Sequence, residues 1–442
     1  MKKYDSYKDS GVKWLGEIPE HWNVKRLGAI LEDISIKNQP DKPLLSITRE
    51  KGVILRDLED DSENHNFIPD DLSGYKFLKK GQFGMNKMKA WQGSYGVSNY
   101  DGIVSPAYYI FDLNSQIVPN YFHKAIRSKF YVAHFGSASD GVRIGQWDLS
   151  KSRMKEIPFF IPPPEEQQAI AEFLDEKTAK IDQAIAIKEK EIELLKERRQ
   201  ILIQELVTGK KIWDGNQWTK PTKTKDSGVD WIGEIPEDWK LSKLKSFCEA
   251  YGRIGFRGYT TSDLVDEGEG AITISPSNIK ENDMEFEKNS FLSWEKYNES
   301  PEIKIRENDI LIVKTGSTYG KIGMVKSLPQ KATINPQLLV LKNIKLNVDF
   351  LYESLKSNCF KTQIEKNVIG STIPTISESK ILGFVIPVPI DKKYLTGIVD
   401  RLKNINEKYF KIISIKQQEI EKLKEYKTVL IDNVVTGKVR VT

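Results

Sequence analysis

Two stretches of the chain place apolar residues at alternating spacings of three and four, the mark of helices buried along one face. The first runs from Glu165 to Thr208 without proline or glycine. Leu174, Thr178, Ile181, Ile185, Lys188, Ile192, Leu195, Arg199, Leu202 and Leu206 form its stripe, apolar at seven of ten places. Gly209 supplies the stop. The second runs from about Lys392 to Thr436, with Gly397 the point at which its start would be delayed. Ile398, Leu402, Ile405, Tyr409, Ile412, Lys416, Glu419, Leu423, Tyr426, Leu430 and Asn433 give it eight apolar or aromatic positions of eleven. At about 1.5 Å per residue each helix is about 65 Å long, too long to stand without a partner. An antiparallel pair in which the two stripes bury each other is the economical solution.

Before each of these helices the pattern is one of short β-branched and aromatic runs punctuated by Gly, Asn and Asp. GIVSPAYYIF lies in residues 23–160, and DILIVKTGS and PQLLVL lie in residues 240–388. They predict strands within mixed α/β globules. The globules close at IPFFIPPPEEQQ and FVIPVPIDKK, where proline ends one element and prepares a helix start.

The chain is written twice. DSGVKWLGEIPEHW at residues 9–22 and DSGVDWIGEIPEDW at 226–239 share eleven of fourteen positions at an offset of 217. Val207-Thr208-Gly209-Lys210 recurs as Val435-Thr436-Gly437-Lys438 at offset 228, and Ile161-Pro162 recurs as Ile386-Pro387 at offset 225. A period this long means duplicated domains rather than a solenoid of short repeats. The expected fold is therefore a duplicated α/β (α+β) chain, with two mixed globules and two long antiparallel helices in a pseudo-twofold dumbbell. Its segments are 1–163, the helix 164–209, 210–389 and the helix 390–442.

Composition narrows the functional classes. The 442 residues are 39% hydrophobic and 29% charged, which excludes disorder by composition. Lys and Arg exceed Asp and Glu by only five charges, so an anionic partner must meet a local patch. The longest apolar run, Ile381 to Ile390, is broken by Pro387 and Pro389, and no membrane span is expected. The opening MKKYDSYKDS has no apolar h-region, so no signal peptide is expected. Cys248 and Cys359 are the only cysteines, which argues against a disulfide framework and for a reducing cytoplasm.

Catalytic motifs fail on spacing. TGSTYGKIG, Thr315 to Gly323, has three rather than four residues between Gly316 and Gly320, and Ile322 stands where a magnesium-binding hydroxyl would follow Lys321. GRIGFRG, Gly252 to Gly258, is not a dinucleotide loop. His21, His65, His123 and His134 lack ligand spacing, so no metal site is expected. Glu302-Ile303-Lys304 could mimic a nuclease fragment, but in a chain with this much Glu and Lys it reads as a solvated face. Pro162-Pro163-Pro164-Glu165 lacks the polar head and the aromatic of an amino-methyltransferase motif. No catalytic residue is expected.

Nucleic-acid recognition asks for something else: Arg, Lys, Asn, Gln, Ser and Thr on loops, with backbone N–H groups and lysines for phosphates. The first globule offers Asn86, Lys87, Lys89, Gln92, Ser94 and Tyr95, then Arg143 and Gln146 in the stretch from Ser137 to Trp147. Trp91 and Trp147 have a core role as their alternative. The second offers Arg253, Arg257 and Tyr259, then Lys314, Thr315, Ser317, Thr318, Tyr319 and Lys321, then Ser371 and Thr372. Arg143, Gln146, Lys314 and Thr315 are expected on a DNA-facing side. Polar glycine loops are also what any surface turn looks like.

The block DSGVxWxGEIPExW, the Ile-Pro segment leading into EEQQAIAEFLDEKTAKID, and the helix ending in LVTGK together resemble the specificity subunit of type I restriction–modification enzymes. The likeness spans the whole chain, although the second copy has Pro389-Ile390-Asp391-Lys392-Lys393-Tyr394 where the first has its EEQQ helix start. It implies two target-recognition domains, each reading half of a split, asymmetric double-stranded DNA site across a spacer ruled by the helices. It also implies a chain without chemistry or cofactor of its own. Two modification subunits would carry S-adenosylmethionine for adenine-N6 methylation, and restriction subunits would use ATP and Mg. A coiled-coil scaffold and a fused nuclease or methyltransferase are the alternatives. Lys188 and Lys416 interrupt their stripes at positions 228 apart, and Glu191 and Glu419, also 228 apart, lie three residues on to offset the charge. A central polar layer fixing register is expected there, against lysines that only snorkel to solvent.

Overall fold

The structure is a computed structural model, and it describes residues 2–12, 16–57, 68–143, 146–213, 216–280, 284–368 and 374–441. The chain forms two compact units, residues 1–189 with 416–442 and residues 190–415, so each long helix contributes to both.

The repeated block folds the same way in each unit. In the first, Tyr7–Asp9 pairs antiparallel with Glu17–Pro19; in the second, Thr224–Asp226 pairs with Glu234–Pro236. Asp9 Oδ1 accepts from Gly11 N at 2.9 Å, and Asp226 Oδ1 accepts from Gly228 N at 3.0 Å. The two glycines adopt φ of 70° and 71°, the left-handed turn for which the block keeps glycine. Trp22 and Trp239 end the blocks fully buried. Each packs on a VTGK glycine: a Cβ on Gly437 would fall 2.3 Å from Pro19, and one on Gly209 would fall 2.5 Å from Pro236.

In the first unit a four-stranded antiparallel sheet runs Leu31–Ile34, Tyr109–Leu113, Phe83–Met85, Tyr95–Val97 in spatial order. Helices α1 (Pro119–Ile126) and α2 (Lys129–Ser137) pack with it around Phe83, Phe111, Phe122, Phe135 and Phe159. A hairpin, Ser139–Arg143 with Gln146–Leu149, leads into α3 (Lys151–Lys155), whose N-cap Ser150 accepts from Arg153 N. Helix α4 (Pro164–Val207) follows.

The second unit repeats the order with Glu249–Gly252, Leu338–Lys342, Ile310–Val313 and Ile322–Met324. It adds a second sheet of Leu264–Val265, Ser290–Ser293, Gly270–Ile274 and Ala332–Ile334, with its own core around Ile272, Ile274, Leu311 and Val313. Helix α5 (Trp294–Asn298) follows that sheet's second strand; α6 (Val348–Leu355) and α7 (Asn358–Asn367) repeat the α1–α2 pair. Then α8 (Glu378–Gly383), N-capped by Ser377, precedes α9 (Lys392–Val435).

Both long helices have 44 residues, and α9 starts at Lys392 and runs through Gly397, an exposed glycine where an added Cβ would meet nothing within 4 Å, so its start is not delayed. They are antiparallel. In the first unit Lys427 Nζ meets Asp182 at 2.6 Å and Lys188 Nζ meets Glu419 Oε2 at 2.6 Å, so partners fall along α9 as they rise along α4. The expected stripe drifts, however: Ile413 and Ile420 are buried, whereas Tyr426 is exposed. A helix of 3.6 residues per turn rotates about 20° per heptad away from a strict 3.5 repeat, which moves burial one residue onward.

Candidate nucleic-acid interface

Equivalent hairpins carry the candidate loops. Loop 86–94 joins the third and fourth strands of the first unit's sheet, and loop 314–321 makes the same connection in the second. The carbonyl of Lys87 accepts from Leu149 N at 3.2 Å, and the carbonyl of Lys314 accepts from Ile376 N at 2.9 Å, both pairs at an offset of 227. Each lysine side chain meets a carboxylate: Lys87 Nζ lies 3.3 Å from Asp148 Oδ2, and Lys314 Nζ lies 3.1 Å from Glu378 Oε1. The segment before α3 or α8 is thus laid against the edge hairpin in each unit. Thr315 and Thr375 reinforce this in the second, their Oγ1 atoms 2.8 Å apart.

Within loop 86–94, Lys89 is exposed and Gln92 half-buried. Asn86, Ser94 and Tyr95 are all three buried. Asn86 Nδ2 donates to Tyr108 Oη at 3.2 Å and its Oδ1 accepts from Met88 N, which shapes the loop; the Tyr95 ring packs on Phe135 at 4.6 Å between centroids. Trp91 stacks on Trp147 with centroids 5.4 Å apart and planes at 27°, and Trp147 keeps an exposed edge. Arg143 and Gln146 face each other across the turn of their hairpin, but their side chains lie outside the described part of the structure.

In the second unit Ser317 and Thr318 are exposed, Lys321 is half-buried, and Tyr319 packs against the core. Gly316 and Gly320, at φ of 102° and 79°, make TGSTYGKIG a hairpin turn. Arg253 is turned inward. It is buried, donating from Nε to Ile334 O at 3.1 Å, from Nη2 to Thr333 Oγ1 at 3.0 Å and from Nη1 to Arg257 O at 3.3 Å, and it stacks 5.2 Å from the Tyr259 ring. Three of its five donors serve the fold. Arg257 Nη1 lies 3.4 Å from Glu302 Oε1, and both Arg257 and Tyr259 are half-buried. Glu302 and Lys304 turn to different neighbours, Lys304 to Asn298 and the Tyr297 ring. Ser371 and Thr372 lie outside the described residues.

His21 and His123 serve structure, and His65 lies outside the described residues. His21 Nε2 lies 2.7 Å from Glu166 Oε2, which Tyr4 and Trp22 also approach through Oε1. His123 Nδ1 accepts from Val97 N at 3.1 Å, and burial, aided by Arg127, pulls its pKa down to about 4. Among the described residues no group of three or more His, Cys, Asp or Glu could hold a metal ion, and no helix is long and apolar enough to cross a membrane.

Sequence reasoning missed Asp148 and Glu378. A signal was present: Leu149-Ser-Lys-Ser152 and Ile376-Ser-Glu-Ser379 repeat at offset 227, with serine caps at the same place.

Comparison with known proteins gives a consistent result. The family model described as the type I restriction modification DNA specificity domain matches residues 106–197 and 236–425. The chain is 26% identical to the type I restriction enzyme MjaVIII specificity subunit of Methanocaldococcus jannaschii, across 98% of this chain and 97% of that protein. It is also 26% identical to the putative MjaX specificity subunit of that organism, across 98% of each. A solved chain described under complex assembly and conformational transition of the type I R-M system has the same fold, with a TM-score of 0.68 at 14% identity, covering 96% of this chain and 99% of that one.

Proposed function

Because the chain belongs to the type I restriction modification DNA specificity family, we propose that each of its units reads one half of a bipartite, asymmetric site in double-stranded DNA. The subunit recognises DNA and leaves chemistry to its partners. One observation carries the half-site reading: the two edge hairpins are held identically, through Lys87 to Leu149 and Lys314 to Ile376, while the residues they display differ. Equal scaffolds with unequal faces suit two unlike half-sites. Loop cations would bind phosphates, and the exposed hydroxyls and amides would meet base edges.

The long helices, shared by both units, set the spacer in this reading and dock two modification subunits. Ile187 and Ile415 correspond at offset 228, as do Ile201 and Val429, and all four are 46–54% exposed. The first unit holds Ile187 and Val429; the second holds Ile415 and Ile201. Unburied apolar residues at equivalent places in each unit are what two identical partners would require. S-adenosylmethionine would belong to the modification subunits, which flip the target adenine from the stack. ATP and Mg would belong to restriction subunits where these join.

The test is to co-purify the chain with its modification subunits and sequence the sites they methylate. A split motif of two unlike halves separated by a fixed number of unspecified base pairs is expected. A continuous motif, or methylation by the chain without partners, would refute the assignment.

A further inference from the structure

One arginine outside every candidate set joins two segments of the first unit. Arg127 caps the C-terminal end of α1. Its Nη1 donates to Gly93 O at 3.2 Å and Tyr95 O at 2.5 Å, at the end of loop 86–94. Its Nη2 donates to Arg49 O at 2.8 Å and Glu50 O at 2.9 Å. Those two carbonyls lie at the tip of a separate hairpin, Leu45–Thr48 with Gly52–Leu55. One guanidinium therefore places the tip beside the candidate loop.

The surroundings are fitted to this arrangement. Gly52 has a φ of 72°, and a Cβ there would lie 3.2 Å from both Arg127 Nη1 and His123 Cε1. A Cβ on Gly96 would lie 3.0 Å from His123 Cε1. The tip is ordered from within as well: Lys51 N donates to Thr48 Oγ1 at 3.1 Å, and Thr48 Oγ1 donates to Gly52 O at 3.3 Å.

Two carbonyls of the tip face Arg127, while Arg49, Glu50 and Lys51 are exposed residues. Arg49 Nε lies 3.7 Å from Glu50 Oε1 with both side chains mostly exposed, a contact too weak to withhold the guanidinium from a phosphate. Arg127 itself, with four donors used on backbone oxygens, is spent internally.

We propose that the hairpin tip at residues 49–51 is a DNA-contacting element of the first unit, with Arg49 and Lys51 on backbone phosphates, and that Arg127 is the positioning residue that holds it in register with loop 86–94. This rests on the half-site reading given above and names a contact surface within it.

The experiment uses the complex with its modification subunits. Replacing both tip cations (Arg49→Ala with Lys51→Ala) alters only exposed residues. It should weaken binding about tenfold whatever the sequence, and lower the slope of log affinity against log salt by about two. Arg127→Met should broaden base preference in one half-site and leave the other unchanged. Arg127→Lys should not rescue it, because an ammonium keeps the charge but cannot bridge four carbonyls on two segments. Wild-type affinity and salt slope in the tip variant would overturn the phosphate contact. Full rescue by lysine would overturn the positioning role. A wild-type complex that reads a split site beside an unchanged tip variant rejects this inference alone, whereas a wild-type complex that reads no split site rejects the half-site reading and this inference together.

Discussion

Lys188 on α4 and Glu419 on α9 form an ion pair of 2.6 Å, and Lys416 Nζ stands 4.0 Å from the same Glu419 Oε2. The two stripe-breaking lysines thus share one carboxylate, Lys188 reaching it across the helix pair and Lys416 from one turn away on the same helix. The hydrogen bond from Lys188 is the main cause that holds the Glu419 carboxyl below the usual carboxylate range. Lys188→Leu should let that pKa rise towards its ordinary value while stability changes little, since both side chains remain partly solvated. Carboxylate titration by NMR decides it; an unmoved Glu419 would show that Lys416 alone suffices.

The matched lysines of the edge hairpins give a second expectation. Lys87 and Lys314 occupy equivalent positions, each beside a carboxylate that a phosphate would have to displace. Lys87→Ala and Lys314→Ala should each weaken DNA binding and reduce the salt slope by about one, with no change in the bases preferred. Binding measured at several salt concentrations is the readout. A change in preferred bases would move the lysine from phosphate to base contact.

What could be read from sequence follows from the range of the forces involved. The long helices were legible because a stripe repeats over 44 residues, and the blocks around Trp22 and Trp239 because they recur. The strand pairing of the bodies was not, since strands of three to five residues find partners far along the chain, as Leu31–Ile34 does with Tyr109–Leu113. Loop residues were the least legible. Arg253 and Lys314 both sit beside glycines, yet one is buried on Thr333 and Ile334 while the other borders an exposed turn. Only tertiary contacts separate them, and for the same reason Arg127 carried no signal.

His123 makes the first unit sensitive to acid. The fold holds its ring neutral, with Nδ1 accepting from Val97 N and the pKa drawn from 6.5 down to about 4 by burial and then by Arg127. Stability from this group is complete above about 6.5 and is lost as the pH falls from there towards 4, because the unfolded chain then binds the proton first. A shift of this size corresponds to a loss on the order of 3 kcal/mol. His123→Asn retains an acceptor near Nδ1 and removes the titration. It should flatten the stability curve between about pH 6.5 and 4 in denaturant titrations. A variant curve as steep as the wild-type curve would assign the acid loss to other groups.

If the helices set the spacer, lengthening them together must lengthen it. Four residues inserted after Leu195 in α4, with four more after the corresponding Leu423 in α9, add about 6 Å to each helix. Four residues turn a helix by about 400°, so Ile203, Leu206 and Val207, buried downstream of the first insertion, return to within about 40° of their original face. Two residues turn it by about 200° and would drive the same side chains into solvent. The base-pair rise is about 3.4 Å, and part of the added length is absorbed by the rotation of the second half-site about the duplex. The four-residue variant should fold and methylate a site whose halves are unchanged and whose spacer is about one to two base pairs longer, while the two-residue variant loses stability. Sequencing the methylated sites decides it, and an unaltered spacer in the folded four-residue variant would transfer control of the distance to the partner subunits or to bending of the DNA.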